Sequence, residues 1–128
     1  MGANTQRATV RQLLVPEIVT LPEELDITNA RATGDVLRAA LGQGVPAVIA
    51  DMTRTTFCDS SGIRYLLLAH DRAAELNAEF RLVVRSAAVL RAFSVVGVDQ
   101  VLAIYPSLEA ALSNAAPGVV QKEQGPAS

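Results

Sequence analysis

Ala47-Val48-Ile49-Ala50 is an unbroken apolar run that closes on Asp51, passes through the polar stretch Thr53-Arg54-Thr55-Thr56, and leads into Asp59-Ser60-Ser61-Gly62. A strand with one face in water alternates apolar and polar residues. A run without alternation predicts a strand covered on both faces, which is the condition of a parallel strand sandwiched between helices. The four residues that follow the loop carry helix-start chemistry. Asp and Ser accept hydrogen bonds from the free N–H groups of a first turn, and Gly allows close packing. The segment therefore reads as strand, loop and helix start, and it presents two hydroxyls at the positive end of a helix dipole.

Around this segment strands and helices alternate. Val10–Leu21 carries Val10, Leu13, Leu14, Val15, Ile18, Val19 and Leu21, interrupted by Pro16-Glu17, and reads as two short strands or one broken strand at a sheet edge. Pro22–Asn29 is rich in acids and caps and precedes a helix from Ala30 to about Leu41. Gly42-Gln43-Gly44-Val45-Pro46 stops that helix, and a strand over Ala47–Met52 follows. The spacing predicts a second helix between Ser60 and Asn77. At about 100° per residue, Gly62, Ile63, Leu66, Leu67, Ala69, Ala73 and Ala74 fall on one arc, and Ser60, Ser61, Arg64, Asp71, Arg72 and Glu75 on the other. Leu68 lies inside the polar arc, either as a single exposed leucine or as an apolar anchor for a partner with Tyr65 at its edge. A strand over Phe80–Arg85, a helix over Ala87–Val96, a strand over Val101–Tyr105 and a helix over Ser107–Ala115 complete the pattern. The expected architecture is a single α/β domain. Its central sheet is mixed but mainly parallel, with four to five strands, about four helices and an antiparallel N-terminal edge strand. Residues 1–8 read as a flexible lead-in, 9–115 as the domain, and 116–128, rich in Pro, Gly and Gln, as a disordered tail.

The 128 residues suit one domain. No run reaches the about 18 apolar residues of a membrane helix, the first residues lack a secretory signal, and the single Cys58 cannot build a disulfide framework, so a cytoplasmic protein is expected. The net charge of -2 and the scattered arginines give no cationic footprint for nucleic acid.

Enzyme chemistries fail for want of residues. A serine nucleophile needs an adjacent base, and the one histidine, His70, lies ten residues beyond Ser60, about 15 Å along the same helix. His70 belongs instead to the apolar arc, in a structural role. One Cys and one His exclude a structural zinc site, and no phosphate-binding Gly-rich loop with Lys occurs. Asp51 at a strand end suggests a phosphoacceptor, but the one lysine, Lys122, lies in the tail, so Asp51 reads as a loop-capping acid. No cofactor or metal is expected, and no catalytic residue. Two readings of Asp59-Ser60-Ser61-Gly62 stay open together: helix capping, and modification by an external kinase that supplies nucleotide, magnesium and base.

Glu24-Leu25-Asp26 with Thr28, the segment Phe57-Cys58-Asp59-Ser60-Ser61-Gly62-Ile63, and Ala87-Ala88-Val89-Leu90-Arg91-Ala92-Phe93 with Val96-Gly97-Val98 resemble, in that order, three segments of the STAS domain family. The likeness extends over roughly Val10–Ala115 and points within the family to the bacterial anti-sigma factor antagonists. It implies phosphorylation of Ser60 by an anti-sigma factor that is also a serine kinase. The unphosphorylated chain would bind that partner and free a sigma factor. A phosphatase would reset the switch, and the chain would be a monomer or weak dimer. Asp26 and Asp59 would contact the kinase or orient Ser60; Ser61 matches a second family serine in a capping position. Thr28, Arg64 and Leu68 complete the expected partner surface. A non-phosphorylated adaptor in a signalling or transport complex is the alternative. One departure stands out: where the family commonly has Gly before Glu-Leu-Asp, Glu23, preceded by Pro22, stands before Glu24-Leu25-Asp26. This puts partner identity in question more than fold.

Overall fold

The computed structural model describes residues 15–113. The expected lead-in, the apolar stretch Val10–Leu14 and the tail lie outside the described residues. Four strands, β1 (Glu17–Thr20), β3 (Ala47–Met52), β5 (Glu79–Val84) and β6 (Ala103–Tyr105), form one sheet in the order β1-β3-β5-β6. Two two-residue strands, β2 (Glu24–Leu25) and β4 (Phe57–Cys58), pair separately. The helices are α1 (Ala30–Leu41), α2 (Ser60–Glu75), α3 (Ala87–Val96) and α4 (Leu108–Ser113).

The continuous apolarity of β3 has the cause inferred from sequence. Val48, Ala50 and Met52 face a large core shared with Phe80, Leu82 and Val84 of β5, Leu37 and Leu41 of α1, and Leu66, Ala69 and Ala73 of α2. Ile49 points the other way and joins Val83, Tyr105 and Ala111 in a smaller core beneath α4. Both faces of β3 are thus dry, and an alternating sequence would leave polar groups unpaired there. The smaller core also holds Arg81, whose guanidinium donates to the Ala111 carbonyl at 2.6 Å and to Glu79 Oε1 at 2.8 and 3.0 Å. The sequence gives no sign of this buried charge.

The edge strand is the main departure from expectation. β1 pairs with β3 in parallel, Ile18 opposite Ile49, and every other pairing among the described residues is parallel too. The physical reason is the connection: a crossover containing a twelve-residue helix returns the chain to the starting end of the sheet, so the second strand runs in the direction of the first. The final strand is also shorter than predicted, because Val98–Gln100 form a single 3-10 turn after the left-handed Gly97, and pairing begins at Ala103.

Helices α1 and α2 lie side by side on the large-core face, and their approach is set by Gly34. A methyl group at Gly34 would stand 2.6 Å from Tyr65 Cδ1 and 3.0 Å from its Cβ. Gly34→Ala gains about 1 kcal/mol of helix propensity, but overpacking at a site that cannot yield costs about 1–3 kcal/mol. We expect a net loss of stability in urea unfolding, with rescue by the double variant Gly34→Ala/Tyr65→Ala. Lack of rescue would show that the contact with Tyr65 is not the cause.

Candidate functional site

The site begins with two short strands that sequence reasoning did not identify. Thr55 is buried, and its hydroxyl donates to the Pro22 carbonyl at 2.7 Å. The Thr56 N–H donates to the Glu23 carbonyl at 2.8 Å, and the Asp59 N–H to the Leu25 carbonyl at 3.1 Å. β2 and β4 are therefore laced in parallel, with Glu24 opposite Phe57 and Leu25 opposite Cys58. Continuing that register by one residue brings Asp26 and Asp59 side by side at the open end of the pair, immediately before Ser60. The signal for β2 in the sequence is only the dipeptide Glu24-Leu25, too short for any periodicity to be read.

Asp59 is the N-cap of α2. Its backbone is extended, and its Oδ1 accepts the Gly62 N–H at 3.0 Å. The cap is thus Asp59 and not Ser61, because the extended conformation a cap requires falls one residue before the helix, and both serines are already inside the first turn. Ser60 is exposed and Ser61 half-buried; neither hydroxyl has a hydrogen bond among the described residues.

Gly62 brings this turn onto the short strands. A methyl there would stand 2.7 Å from Cys58 Sγ and 2.9 Å from Leu25 Cγ. The close packing expected of this glycine is therefore present, and its neighbours belong to β2 and β4. Cys58 is buried, and its thiol donates to the Asp59 carbonyl at 3.7 Å. Desolvation, with a smaller contribution from the Asp59 charge, pushes the thiol up to about 12.

Asp26 is held by its own turn. Its carboxylate accepts the Thr28 hydroxyl at 2.5 Å and the Thr28 N–H at 2.9 Å, and these bonds, the hydroxyl's foremost, hold the carboxyl below its usual value. Asn29 returns to the same strand, accepting the Asp26 N–H at 3.0 Å and donating to the Glu24 carbonyl at 2.8 Å. Thr28 is thus a positioning residue for Asp26. Two apolar side chains near this end, Ile27 (77% exposed) and Phe57 (49% exposed), escaped sequence reasoning, since neither departs from a pattern that marks it.

Arg64 is exposed one turn into α2. Leu68, 37% exposed, borders an open groove between α1 and α2 with Tyr65, Arg31, Arg38 and Arg72. The structure thus brings Asp26, Thr28, Asp59, Ser60 and Ser61 together at one end, with Arg64 next to them and Leu68 a turn further along the helix. His70 is half-buried and lines an apolar cavity of about 330 Å³ between α2 and the starts of β5 and β6. Asp51 accepts the Thr53 N–H at 3.0 Å, as a loop cap does. Glu23, the departure from the family pattern, keeps a negative φ, since Asn77 is the one non-glycine residue with positive φ among the described residues. Its side chain is exposed and lies 3.6 Å from Arg54. No group of His, Cys, Asp and Glu suited to a metal ion occurs among the described residues.

The family model for the STAS domain matches residues 7–111. The chain belongs to the STAS domain family. Solved structures agree with this STAS fold. An anti-sigma factor antagonist from Mycobacterium paratuberculosis is 26% identical with a TM-score of 0.69, the match covering 77% of this chain and 83% of that one. The anti-sigma factor antagonist SpoIIAA in its unphosphorylated form is 21% identical with a TM-score of 0.61, over 84% of this chain and 87% of that one. A sulfate transporter family protein from Wolinella succinogenes is 18% identical with a TM-score of 0.65, over 84% and 91% of the two chains. No curated protein matches in sequence. No helix among the described residues of this STAS domain is long and apolar enough to cross a membrane.

The buried thiol gives a test of the packing under the site. In the unfolded chain Cys58 ionises near 9.0, in the folded chain near 12. Below pH 9 both states hold the proton; above it the unfolded chain gains by ionising, so the stability associated with this burial is lost as pH rises from 9 towards 12. We expect native protein to resist alkylation at pH 8, and wild type to lose more stability than Cys58→Ala between pH 9 and 11. Rapid labelling at pH 8 without denaturant would contradict the packing.

Proposed function

We propose that this STAS domain is an anti-sigma factor antagonist whose binding to an anti-sigma factor serine kinase is switched off by phosphorylation of Ser60. The observation that carries the proposal is the division of labour at the start of α2. Asp59 supplies the cap, so the Ser60 hydroxyl is left exposed and uncommitted at the first helical position. A hydroxyl needed for capping would be unavailable as a nucleophile without damage to the helix; this one is not needed.

Among the described residues no base is placed to activate that hydroxyl. The nearest carboxylate, Asp59, is engaged with the Gly62 N–H, and His70 lies over two turns away. The kinase brings the chemistry. Ser60 Oγ attacks the γ-phosphorus of ATP, the bond from that phosphorus to the bridging oxygen breaks, ADP leaves, and the hydroxyl proton passes to a base on the kinase. The phosphate that results carries about -1.5 to -2 charge at neutral pH. At a helix N-terminus that charge is tolerated, while its proximity to Asp59 and Asp26 makes the end of the domain strongly anionic. The partner surface that fits the unphosphorylated end is then repelled, with no need for the domain to refold. Asp26, Thr28, Asp59, Ser61, Arg64 and Leu68 form the proposed contact surface around the acceptor. The protein works in the cytoplasm as a monomer or weak dimer, and a phosphatase restores it.

Incubation with ATP, magnesium and candidate anti-sigma kinases, followed by mass spectrometry, tests the acceptor. We expect phosphate on Ser60 and none on Ser60→Ala. Phosphate on Ser61, Thr55 or Thr56 would overturn the assignment, and no transfer by any candidate would favour a non-phosphorylated adaptor. In binding assays, Ser60→Ala should retain affinity for the kinase and Ser60→Asp should lose it by tenfold or more. Equal binding by both variants and wild type would exclude a switch at this position.

A further inference from the structure

Arg64, like Arg31 on α1, has no ion-pair partner among the described residues, but of these two it alone stands four residues after Ser60 on the same helix. Arg38 is paired with Asp35 at 2.6 Å and Arg72 with Glu75 at 2.9 Å, each within its own helix. Arg64 is exposed and has no ion-pair partner among the described residues. Side chains meet on a helix at spacings of three and four. For Arg64 those neighbours are Ser60, Ser61, Leu67 and Leu68, none of them acidic. At 100° per residue, Arg64 lies 40° around the helix from Ser60 and one turn along it. The first anion that can enter its reach within α2 is a phosphate on Ser60.

We propose that Arg64 is the internal receptor for the Ser60 phosphate, an arginine left free in the unmodified protein that closes an ion pair with the phosphoserine four residues before it. This rests on Ser60 being the modified residue. Guanidinium and phosphate match in geometry and charge, and the pair forms between neighbours on one rigid helix, so little ordering opposes it. The consequence is twofold. The phosphate is fixed against α2 instead of swinging freely, and Arg64 is withdrawn from the surface that meets the partner. Modification then changes two features of that surface at once, adding an anion and removing a cation.

The other charges facing Ser60 are Asp59 directly before it and Asp26 beside Asp59 across the short strands; both raise the second ionisation of the phosphate. The free N–H groups of the first turn lower it. None of these changes when Arg64 alone is replaced, so a difference between variants isolates the pair.

The test uses the full chain with phosphoserine placed at position 60 during translation, so that it is independent of any kinase. Phosphorus NMR titration between pH 4 and 8 reports the second ionisation of the phosphate. We expect it about 0.3 unit lower with Arg64 than in Arg64→Gln, with Arg64→Lys between, and the difference shrinking in high salt. The phosphate line should also narrow in Arg64→Gln as the group is released. The proposal is overturned if wild type and Arg64→Gln titrate identically, or if Arg64→Gln titrates lower. Failure of kinases to modify Ser60 would sink the proposed switch, yet leave this titration to be decided on its own result.

Discussion

Three hydrogen bonds between neighbouring loops shape the candidate functional end of this domain: Thr55 hydroxyl to the Pro22 carbonyl, Thr56 N–H to the Glu23 carbonyl, and Asp59 N–H to the Leu25 carbonyl. They join a segment before α1 to the segment before α2, and so fix Asp26 and Asp59 on adjacent chain ends. Gly62 completes the arrangement by letting the first turn of α2 press against Cys58 and Leu25. The Ser60 hydroxyl is consequently presented by a rigid base. A loop free to move would have to be ordered by each partner, and that ordering costs about 1–2 kcal/mol per residue. Here the cost has been met in folding.

The same arrangement supports the proposal that a phosphate on Ser60 alters binding and leaves the fold intact. The large core lies beneath α1 and α2, while Ser60 is exposed at the helix start. Charge placed there meets helix N–H groups, two carboxylates and one arginine, all at the surface. Surface charge interactions are worth up to about 1 kcal/mol each, small beside the burial that holds the sheet and helices together. A partner that must cover the same atoms and exclude water experiences those charges far more strongly. The asymmetry between a tolerant helix start and an intolerant interface is the physical basis of the proposed switch.

Much of this was legible from residue order. The unalternating run at Ala47–Met52 announced a parallel strand buried on both faces, and the Asp-Ser-Ser-Gly tetrapeptide announced the helix start; both stand where expected. α1 and α3 also begin and end at the predicted residues. What was not legible has a common cause. β2 and β4 have two residues each, too few for a pattern, and exist because of contacts between segments over thirty residues apart. The choice of Asp59 over Ser61 as cap depends on backbone angles, since both side chains can do the work. The direction of the edge strand depends on the connection after it, not on its composition. Arg81 is buried only because a helix carbonyl and Glu79 are there to receive it.

The central claim is that the end of the domain is built before any modification and is changed locally by it. Amide NMR spectra of the chain with serine and with phosphoserine at position 60 test this most directly. The predicted result is shift changes confined to Asp26–Asn29 and Asp59–Tyr65, with amides of β3 and β5 unmoved and their hydrogen-exchange protection unchanged. Shifts or lost protection spreading through β3, β5 and α1 would contradict the account, since they would mean that the phosphate acts by loosening the fold.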